Sequence, residues 1–221
     1  MSEEEQTKDG GAESAVSQTY LTDELVRETH ALAESILSET EQVVLGKRPV
    51  LEMVMVGVMA GGNILFEDNP GLAKTLLANT FARALGCKFK RVQFTPDLLP
   101  ADITGIYIFD RKANDFAFRP GPLFCNILLA DEINRAPPKT QAALLEAMQE
   151  QQVTLEGETH QLPQPFITIA TQNPIESEGT YPLPEAQLDR FMMKLSVGYP
   201  GRPIERAIIV KRMQRMQDEH D

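Results

Sequence analysis

The sequence predicts an α/β fold in which a parallel five-stranded sheet is flanked by helices and carries β-hairpin insertions. Five short apolar runs alternate with helical or irregular segments along the 221 residues, and this alternation is typical of a parallel sheet. Two further stretches show the glycine-containing turns of antiparallel hairpins. A chain of this length can bury a sizeable core, as one large domain or two small ones.

The predicted strands are short apolar runs that follow one another at regular intervals. They cover residues 63–67, 89–94, 126–131, 166–171 and 191–197. A helix over 138–149 begins at paired prolines, which lack the N–H that a first helical turn leaves unused. The hairpins are predicted at about 104–120 and at 151–165, the second turning at Glu156-Gly157-Glu158. The sheet is therefore interrupted by two antiparallel insertions.

Two helices are predicted before the first strand. Apolar residues recur at near-helical spacing over 21–45, which predicts one long amphipathic helix or two short ones, with Thr22 or Asp23 as the cap. The run 50–62 is apolar at almost every position and ends in Gly61-Gly62. This pattern predicts a buried helix that packs beneath the sheet and stops at the two glycines.

The two ends of the chain differ from the middle. Residues 1–19 are rich in Glu, Ser, Gln and Gly and contain few large apolar side chains, so ordering them would not repay its entropy. We predict a disordered acidic tail there, an α/β core over 20–212, and a C-terminal tail over 213–221.

Charge and hydropathy exclude several classes of function. The formal net charge of -11 opposes non-specific binding to nucleic-acid phosphates or to anionic membrane surfaces. No apolar run approaches the roughly 20 residues of a transmembrane helix. The acidic N-terminus lacks the basic and then apolar order of a secretory signal, so we expect a cytoplasmic protein without a transmembrane segment.

The segment after the first predicted strand has the composition of a phosphate-binding loop. It reads Asp68-Asn69-Pro70-Gly71-Leu72-Ala73-Lys74-Thr75 and runs into a helix. In such a loop, backbone N–H groups surround the phosphates, while Lys74 reaches the outer phosphates and Thr75 offers a hydroxyl to Mg²⁺. Asp68 and Ala73 replace the two glycines of the pattern GxxxxGKS/T. Taken alone, the segment is also compatible with a structural turn that ends in an exposed lysine.

An acidic pair follows the third predicted strand. Asp131 and Glu132 end the run ILLADE, an arrangement that suits Mg²⁺ binding through Asp131 and water orientation through Glu132. We expect the phosphate loop on a neighbouring strand, so that both meet at the carboxyl edge of the sheet. A solvated strand end is the alternative for either acid alone.

Two further polar residues lie near strands of the predicted sheet. Asn173 follows the fourth strand and could position water or contact a terminal phosphate, although Asn-Pro after a strand is also a common turn. Arg190 precedes the last strand, where an ordinary surface salt bridge is the alternative. A third residue, Arg135, lies three positions after Glu132 and is compatible with an interfacial cation or with a solvated arginine.

Several long strings in this chain resemble the MoxR family of AAA+ ATPases. They are LFEDNPGLAKTLLA, FTPDLLPADITG, FRPGPLF, LLADEINRAPPKTQAALLEAMQE, VTLEG and ATQNPIESEGTYPLPEAQLDRF. The resemblance extends over about residues 40–212. It implies the AAA+ form of the P-loop NTPase core, with ATP and Mg²⁺ as cofactors and a homo-oligomeric, hexameric ring that acts on protein clients as a chaperone.

The same resemblance implies roles for individual residues. Lys74 and Thr75 match the Walker A motif, Asp131 and Glu132 the Walker B motif, Asn173 sensor 1, and Arg190 an arginine finger that acts on the neighbouring subunit. The nucleotide-binding residues that it implies are Asn69, Pro70, Gly71, Leu72, Ala73, Lys74, Thr75 and Leu76 in the loop, with Val44 and Gly46 near the adenine. The two hairpins match the insertions of this branch of AAA+ proteins.

The resemblance leaves three functions open. They are an ATP-driven remodeller of proteins, a nucleic-acid translocase, and a nucleotide-binding module with little turnover. Residues 146–165 contain no Lys or Arg, which disfavours the translocase. Asp68, Ala73 and the absence from this sequence of the family's helical lid predict weak ATP binding and slow turnover. A von Willebrand factor A domain partner is implied by the family alone.

Overall fold

The computed structural model describes residues 22–69, 71–174 and 179–218, with the side chains of 215–218 excepted. The helices are α1 (Asp23–Glu41), α2 (Arg48–Met59), α3 (Lys74–Ala84), α4 (Pro100–Thr104), α5 (Pro138–Glu150), α6 (Glu185–Leu188) and α7 (Arg202–Asp218). The predicted tail over 1–19 lies outside the described residues. The core was predicted to end at residue 212, and α7 continues across that position.

The strands form one five-stranded sheet and two separate hairpins. They are β1 (Ile64–Glu67), β2 (Phe89–Gln93), β3 (Gly105–Asp110), β4 (Asp115–Pro120), β5 (Ile127–Asp131), β6 (Gln152–Leu155), β7 (Glu158–Gln161), β8 (Ile167–Gln172) and β9 (Met193–Leu195). The large sheet has the order β2-β5-β8-β1-β9, and its neighbouring strands run parallel. The predicted parallel five-stranded α/β fold is confirmed.

The strand order corrects one expectation. The strand of the phosphate loop, β1, and the strand of the acidic pair, β5, are not neighbours, because β8 lies between them. Ile169 of β8 is level with Ile64 on one side and with Leu129 on the other. The order of the strands along the chain does not reveal that β8 lies between β1 and β5, because β8 follows both of them in the sequence.

The sheet is buried on both faces by alternating side chains. Ile64, Phe66 and Leu129 pack into one apolar cluster with residues of α1, α2 and α3. Leu65 and Leu128 point to the opposite cluster, which contains residues of α5. Burial on both faces explains why these strands are almost continuously apolar.

Helix α1 forms as one long helix with a predicted cap, whereas α2 is only partly as predicted. Thr22 caps α1, and its hydroxyl accepts a hydrogen bond from Leu25 N at 3.2 Å. In α2, Leu51 is fully buried, whereas Val56 and Met59 are 52% and 59% exposed. The prediction of a buried α2 is therefore wrong for one face, because an all-apolar run has no periodicity that would show which side meets the sheet. The predicted stop is present, with Gly62 N donating to Gly57 O at 2.8 Å.

Both predicted hairpins are present. Strands β3 and β4 pair after α4, and β6 and β7 pair after α5. The second hairpin turns at Glu156 and Gly157, which both have positive φ, at 50° and 84°, while Glu158 already belongs to β7. Both hairpins lie outside the large sheet.

No helix in the described part of the chain is both long and apolar enough to cross a membrane. Cys87 and Cys125 are free thiols. Burial raises the pKa of Cys125 to about 11, so this thiol is unreactive at neutral pH.

Candidate functional site

A cavity of about 470 Å³ opens at the carboxyl edge of the sheet, beside the start of α3. It brings together nine of the residues predicted from the sequence, namely Gly71, Leu72, Ala73, Lys74, Thr75, Leu76, Asp131, Glu132 and Asn173. It is also lined by Asp68, Arg91, Gln93, Thr171 and Gln172. The phosphate loop, the acidic pair and Asn173 thus share one cavity, as open α/β sheets predict.

Four predicted site residues lie outside the lining of this cavity. Val44 is buried in the same apolar cluster as Leu72, and a Cβ at Gly46 would come within 2.8 Å of Ile204 Cγ1. Asn69 is half-buried beside the loop, and Arg190 is exposed. Their roles stay predictions, and Pro70 lies outside the described residues.

Lys74 lies inside the cavity wall. The residue is only 8% exposed, and its Nζ donates a hydrogen bond to Asp68 O at 2.9 Å. Burial lowers the pKa of Lys74, and the carboxylates of Asp68, Asp131 and Glu132 partly oppose this effect. This burial does not fit a structural turn with an exposed lysine. It fits a cation held ready for an anionic ligand.

The two replaced glycines of the loop differ in their backbone conformations. Ala73 adopts φ 58° and ψ 22°, a left-handed conformation that costs a residue with a Cβ about 1–2 kcal/mol. Asp68 has no positive φ, so a glycine is not needed there for its conformation. A glycine at position 73 would therefore relieve backbone strain, whereas a glycine at position 68 would not.

The Asp68 side chain has a structural role in the described site. Its carboxylate accepts hydrogen bonds from Ser196 Oγ at 2.6 Å, from Val197 N at 2.5 Å and from Gly198 N at 3.3 Å. These donors lie directly after β9. Strand β9 pairs with β1, which leads into the phosphate loop. Asp68 thus ties the start of the loop to the segment between β9 and α7.

Both oxygens of the Asp131 carboxylate have partners. Oδ1 accepts from Thr171 Oγ1 at 2.6 Å, and Oδ2 accepts from Arg91 Nη2 at 2.7 Å and Arg91 Nε at 3.1 Å. Thr171 Oγ1 also accepts from Glu132 N at 2.8 Å. The end of β5 is therefore held from β2 on one side and from β8 on the other.

Glu132 is oriented by two donors on one oxygen. Its Oε2 accepts from Gln93 Nε2 at 2.8 Å and from Arg135 Nη1 at 2.9 Å. Glu132 itself adopts a left-handed backbone conformation with φ 56°, and the extended strand β5 ends at the preceding residue. Arg135, for which the sequence left two alternatives, forms an ion pair with Glu132 of the same chain.

Four lining residues were missed by sequence reasoning. Arg91 and Gln93 lie on β2, and Thr171 and Gln172 end β8. Alternation along the run FKRVQ places Arg91 and Gln93 on one face, and the register puts Gln93 opposite Asp131. That signal becomes readable only once β2 is known to neighbour β5.

The chemistry of the lining fits a magnesium-bound nucleotide. Thr75 offers a hydroxyl and Asp131 a carboxylate, and Mg²⁺ prefers such oxygen ligands together with water and substrate phosphates. The described ranges contain no group of three or more His, Cys, Asp or Glu side chains that could hold a metal ion. Thr75 and Asp131 would hold Mg²⁺ together with water and the phosphates of a nucleotide.

Comparison with known proteins identifies the family of this chain. Residues 63–193 match the model of the ATPase family associated with various cellular activities (AAA). The chain belongs to this ATPase family. The match covers more than half of the chain and includes the phosphate loop, the acidic pair and Asn173.

Relatives of known sequence confirm the resemblance to the MoxR family. Chaperone MoxR1 of Mycobacterium tuberculosis is 50% identical over 187 residues, which are 85% of this chain and 49% of that protein. YeaC of Bacillus subtilis is 53% identical over 172 residues, 78% of this chain and 54% of that protein. The chain thus spans about half the length of these curated relatives.

A solved structure has the same fold. The crystal structure of a candidate ATPase from Cytophaga hutchinsonii superposes with a TM-score of 0.75 at 44% sequence identity, over 86% of this chain and 60% of that one. The fold is accordingly the AAA+ form of the P-loop NTPase core, a five-stranded parallel sheet with hairpin insertions.

Proposed function

We propose that this chain binds ATP with Mg²⁺ and hydrolyses it. The observation that carries the proposal is the convergence of a buried lysine, a hydroxyl, two carboxylates and an amide in one cavity, supplied by Lys74, Thr75, Asp131, Glu132 and Asn173. The match to an ATPase family supports it. ATP hydrolysis depends mainly on positioning and on neutralising phosphate charge, and these side chains can do both.

Each residue has a distinct task in this reaction. Lys74 lies at the start of α3, where its cation and the N-terminal N–H groups of the helix favour phosphate oxygens. Thr75 and Asp131 would hold Mg²⁺, which neutralises charge on the phosphates. Glu132 takes a proton from the attacking water while the oxygen of that water bonds to the γ-phosphorus. The bond between the γ-phosphorus and the bridging oxygen breaks, and ADP leaves.

We further propose that the chain works as a ring in which Arg190 acts on the neighbouring subunit. Arg190 is exposed, and its Nη1 donates to Leu145 O at 2.9 Å rather than lining the cavity of its own chain. An arginine supplied from outside stabilises the transition-state charge. Head-to-tail contacts that close on themselves form rings, and a hexamer stays a prediction from the resemblance.

Protein clients are the substrates that the charge pattern favours. One relative is named a chaperone, and the segment 146–165, which contains β6 and β7, has four glutamates and no Lys or Arg. Such a surface repels nucleic-acid phosphates. A von Willebrand factor A domain partner and a cytoplasmic location stay predictions.

A module that binds nucleotide with little turnover is the second candidate. It is favoured by the strained backbone of Ala73 and by the occupation of both Asp131 oxygens by Thr171 and Arg91. A chain that bound nucleotide without hydrolysing it could control assembly through nucleotide binding but could not drive the remodelling of other proteins.

The paired variants Lys74→Ala and Glu132→Gln test these functions. Lys74→Ala should remove the thermal stabilisation by ATP, since it deletes the cation for the outer phosphates. Glu132→Gln should keep that stabilisation and stop phosphate release, because an amide cannot take the proton. Lys88→Ala, which changes an exposed lysine just before β2, is the matched control and should behave as wild type. ATP stabilisation of wild type without phosphate release would favour the second candidate, and undiminished ATP stabilisation of Lys74→Ala would refute the site.

A further inference from the structure

A second cavity, of about 630 Å³, lies between the two hairpins. Its apolar lining includes Ile106, Tyr107, Phe116 and Leu155, and its charged lining residues are Glu156 and Glu158. We call this cavity the hairpin groove. It is lined by none of the residues of the nucleotide cavity.

The two walls of the hairpin groove are fastened to each other. Tyr107 Oη donates a hydrogen bond to Glu158 Oε2 at 2.5 Å and lies 3.0 Å from His160 Nε2. The His160 ring stacks on Phe118 with centroids 4.0 Å apart. The bond to Glu158 raises the pKa of Tyr107 to about 12, so the phenol keeps its proton at neutral pH. The groove is therefore preformed, which lowers the entropy cost of binding a ligand.

The β3–β4 hairpin exposes far more apolar surface than its fold requires. Phe109 and Phe116 lie opposite each other on one face of the hairpin and are 51% and 64% exposed, and their rings meet edge to face at 5.4 Å. Ile106, on the other face, is 46% exposed. Contiguous exposed apolar surface of this kind marks interaction sites. Each hairpin is also a two-stranded sheet, whose outer strand edges can pair with an extended segment.

The charged residues around the hairpin groove indicate which kind of ligand it favours. The carboxylates of Glu156 and Glu158 lie in the groove, whereas the cations of the β3–β4 hairpin, Arg111, Lys112 and Arg119, are exposed and are not lining residues. An apolar groove with an acidic rim favours large apolar side chains flanked by Lys or Arg and repels phosphates.

We propose that the hairpin groove binds an extended protein segment in which large apolar residues alternate with Lys or Arg. The apolar side chains pack against Phe116 and Leu155, and the cations pair with Glu156 and Glu158. That this segment belongs to a protein remodelled at the expense of ATP rests on the proposed function, whereas the binding itself does not.

The probe is a short fluorescein-labelled peptide that alternates Leu or Phe with Lys, titrated with nucleotide-free protein and followed by fluorescence anisotropy. Wild type should bind this peptide and not a version with Glu in place of Lys. Phe116→Ser and Glu156→Lys should each weaken binding at least about tenfold. Met59→Ser, which changes an equally exposed apolar residue on α2, is the matched control and should bind as wild type. Thermal unfolding of each variant confirms that it is folded.

Four results would overturn the proposal. They are no binding to wild type, undiminished binding to Phe116→Ser and Glu156→Lys, equal binding of the acidic peptide, or binding of a single-stranded DNA oligonucleotide in the groove. Lys74→Ala separates this proposal from the ATPase. Its peptide affinity should be unchanged while its ATP hydrolysis is lost. Peptide binding by a wild type that shows no ATP hydrolysis would refute only the proposed function. Intact hydrolysis without peptide binding refutes only the groove.

Discussion

The side-chain amide of Gln93 donates a hydrogen bond of 2.8 Å to the carboxylate of Glu132. Arg135 donates to the same oxygen at 2.9 Å. Glu132 is thus held both from the neighbouring strand β2 and from the turn that follows its own strand. A general base must be held within hydrogen-bond reach of its proton donor, and these two donors determine where the Glu132 carboxylate can lie.

Gln93 should therefore act as a positioning residue for hydrolysis. Gln93→Leu keeps the size of the side chain and removes the donor, so we expect kcat to fall about tenfold while ATP affinity and Tm stay as in wild type. Gln161→Leu, on the exposed face of β7, controls for a Gln-to-Leu change elsewhere. Steady-state ATPase kinetics measure the effect, and a change in KM with unchanged kcat would contradict it.

The two positions at which the phosphate loop lacks a glycine of the pattern, Asp68 and Ala73, should respond differently when glycine is introduced. Ala73→Gly removes left-handed strain at φ 58° and should raise the free energy of unfolding by up to about 1 kcal/mol after the entropy cost of glycine. Asp68→Gly also restores the glycine pattern, but it deletes the acceptor of Val197 N and Gly198 N and should cost about 2 kcal/mol. Urea unfolding distinguishes them. A neutral Asp68→Gly would mean that these bonds do not hold the loop.

Ala142→Gly provides the matched control for the first variant. Ala142 is exposed within α5, where glycine should cost roughly 0.5–1 kcal/mol. Opposite signs for Ala73→Gly and Ala142→Gly would establish that the backbone conformation of Ala73, rather than the residue type, decides the effect. Equal destabilisation by both would contradict it.

Lys74 should lower the free energy of unfolding of the protein when no nucleotide is bound. Burial lowers its pKa below the ordinary value of 10.5, so the unfolded chain holds this proton more tightly. The penalty is fully present below the folded pKa and disappears as pH rises towards the ordinary value. Nucleotide-free Lys74→Met should therefore be more stable than wild type at neutral pH, by about 1 kcal/mol, and the difference should shrink at alkaline pH. Chemical unfolding at both pH values measures it, and a less stable Lys74→Met at neutral pH would contradict it.

The parts of the site that could be predicted are those encoded locally. The loop around Lys74 and the acids Asp131 and Glu132 each follow a strand directly, so their place at the sheet edge follows from the chain itself. Gln93 reaches Glu132 only because β2 neighbours β5, a fact of strand order. The hydrogen bonds of the Asp68 carboxylate could not be predicted because its partner Ser196 is 128 residues away, and no local pattern links the two.

The burial of α2 was misjudged for a different physical reason. Its apolar residues occupy every face, so the sequence carries no period that distinguishes Leu51, which packs on the sheet, from Met59, which is exposed. The two hairpins, in contrast, were predicted because turn residues such as Gly157 mark them within a few positions. Contacts between the hairpins, such as that of Tyr107 with Glu158, depend on how the hairpins are placed in the tertiary structure and could not be predicted.

The last prediction concerns the subunit on which Arg190 acts. Because Arg190 is exposed and donates to Leu145 O rather than lining its own cavity, we expect it to serve the cavity of a neighbour. Lys74→Ala subunits then keep a working arginine without a nucleotide site, and Arg190→Ala subunits keep a site without an arginine. Each should be nearly inactive alone, and mixing the two should restore part of the ATP hydrolysis. Light scattering must show that the two variants assemble together, and absence of recovery in such mixed rings would mean that Arg190 acts within its own chain or not at all.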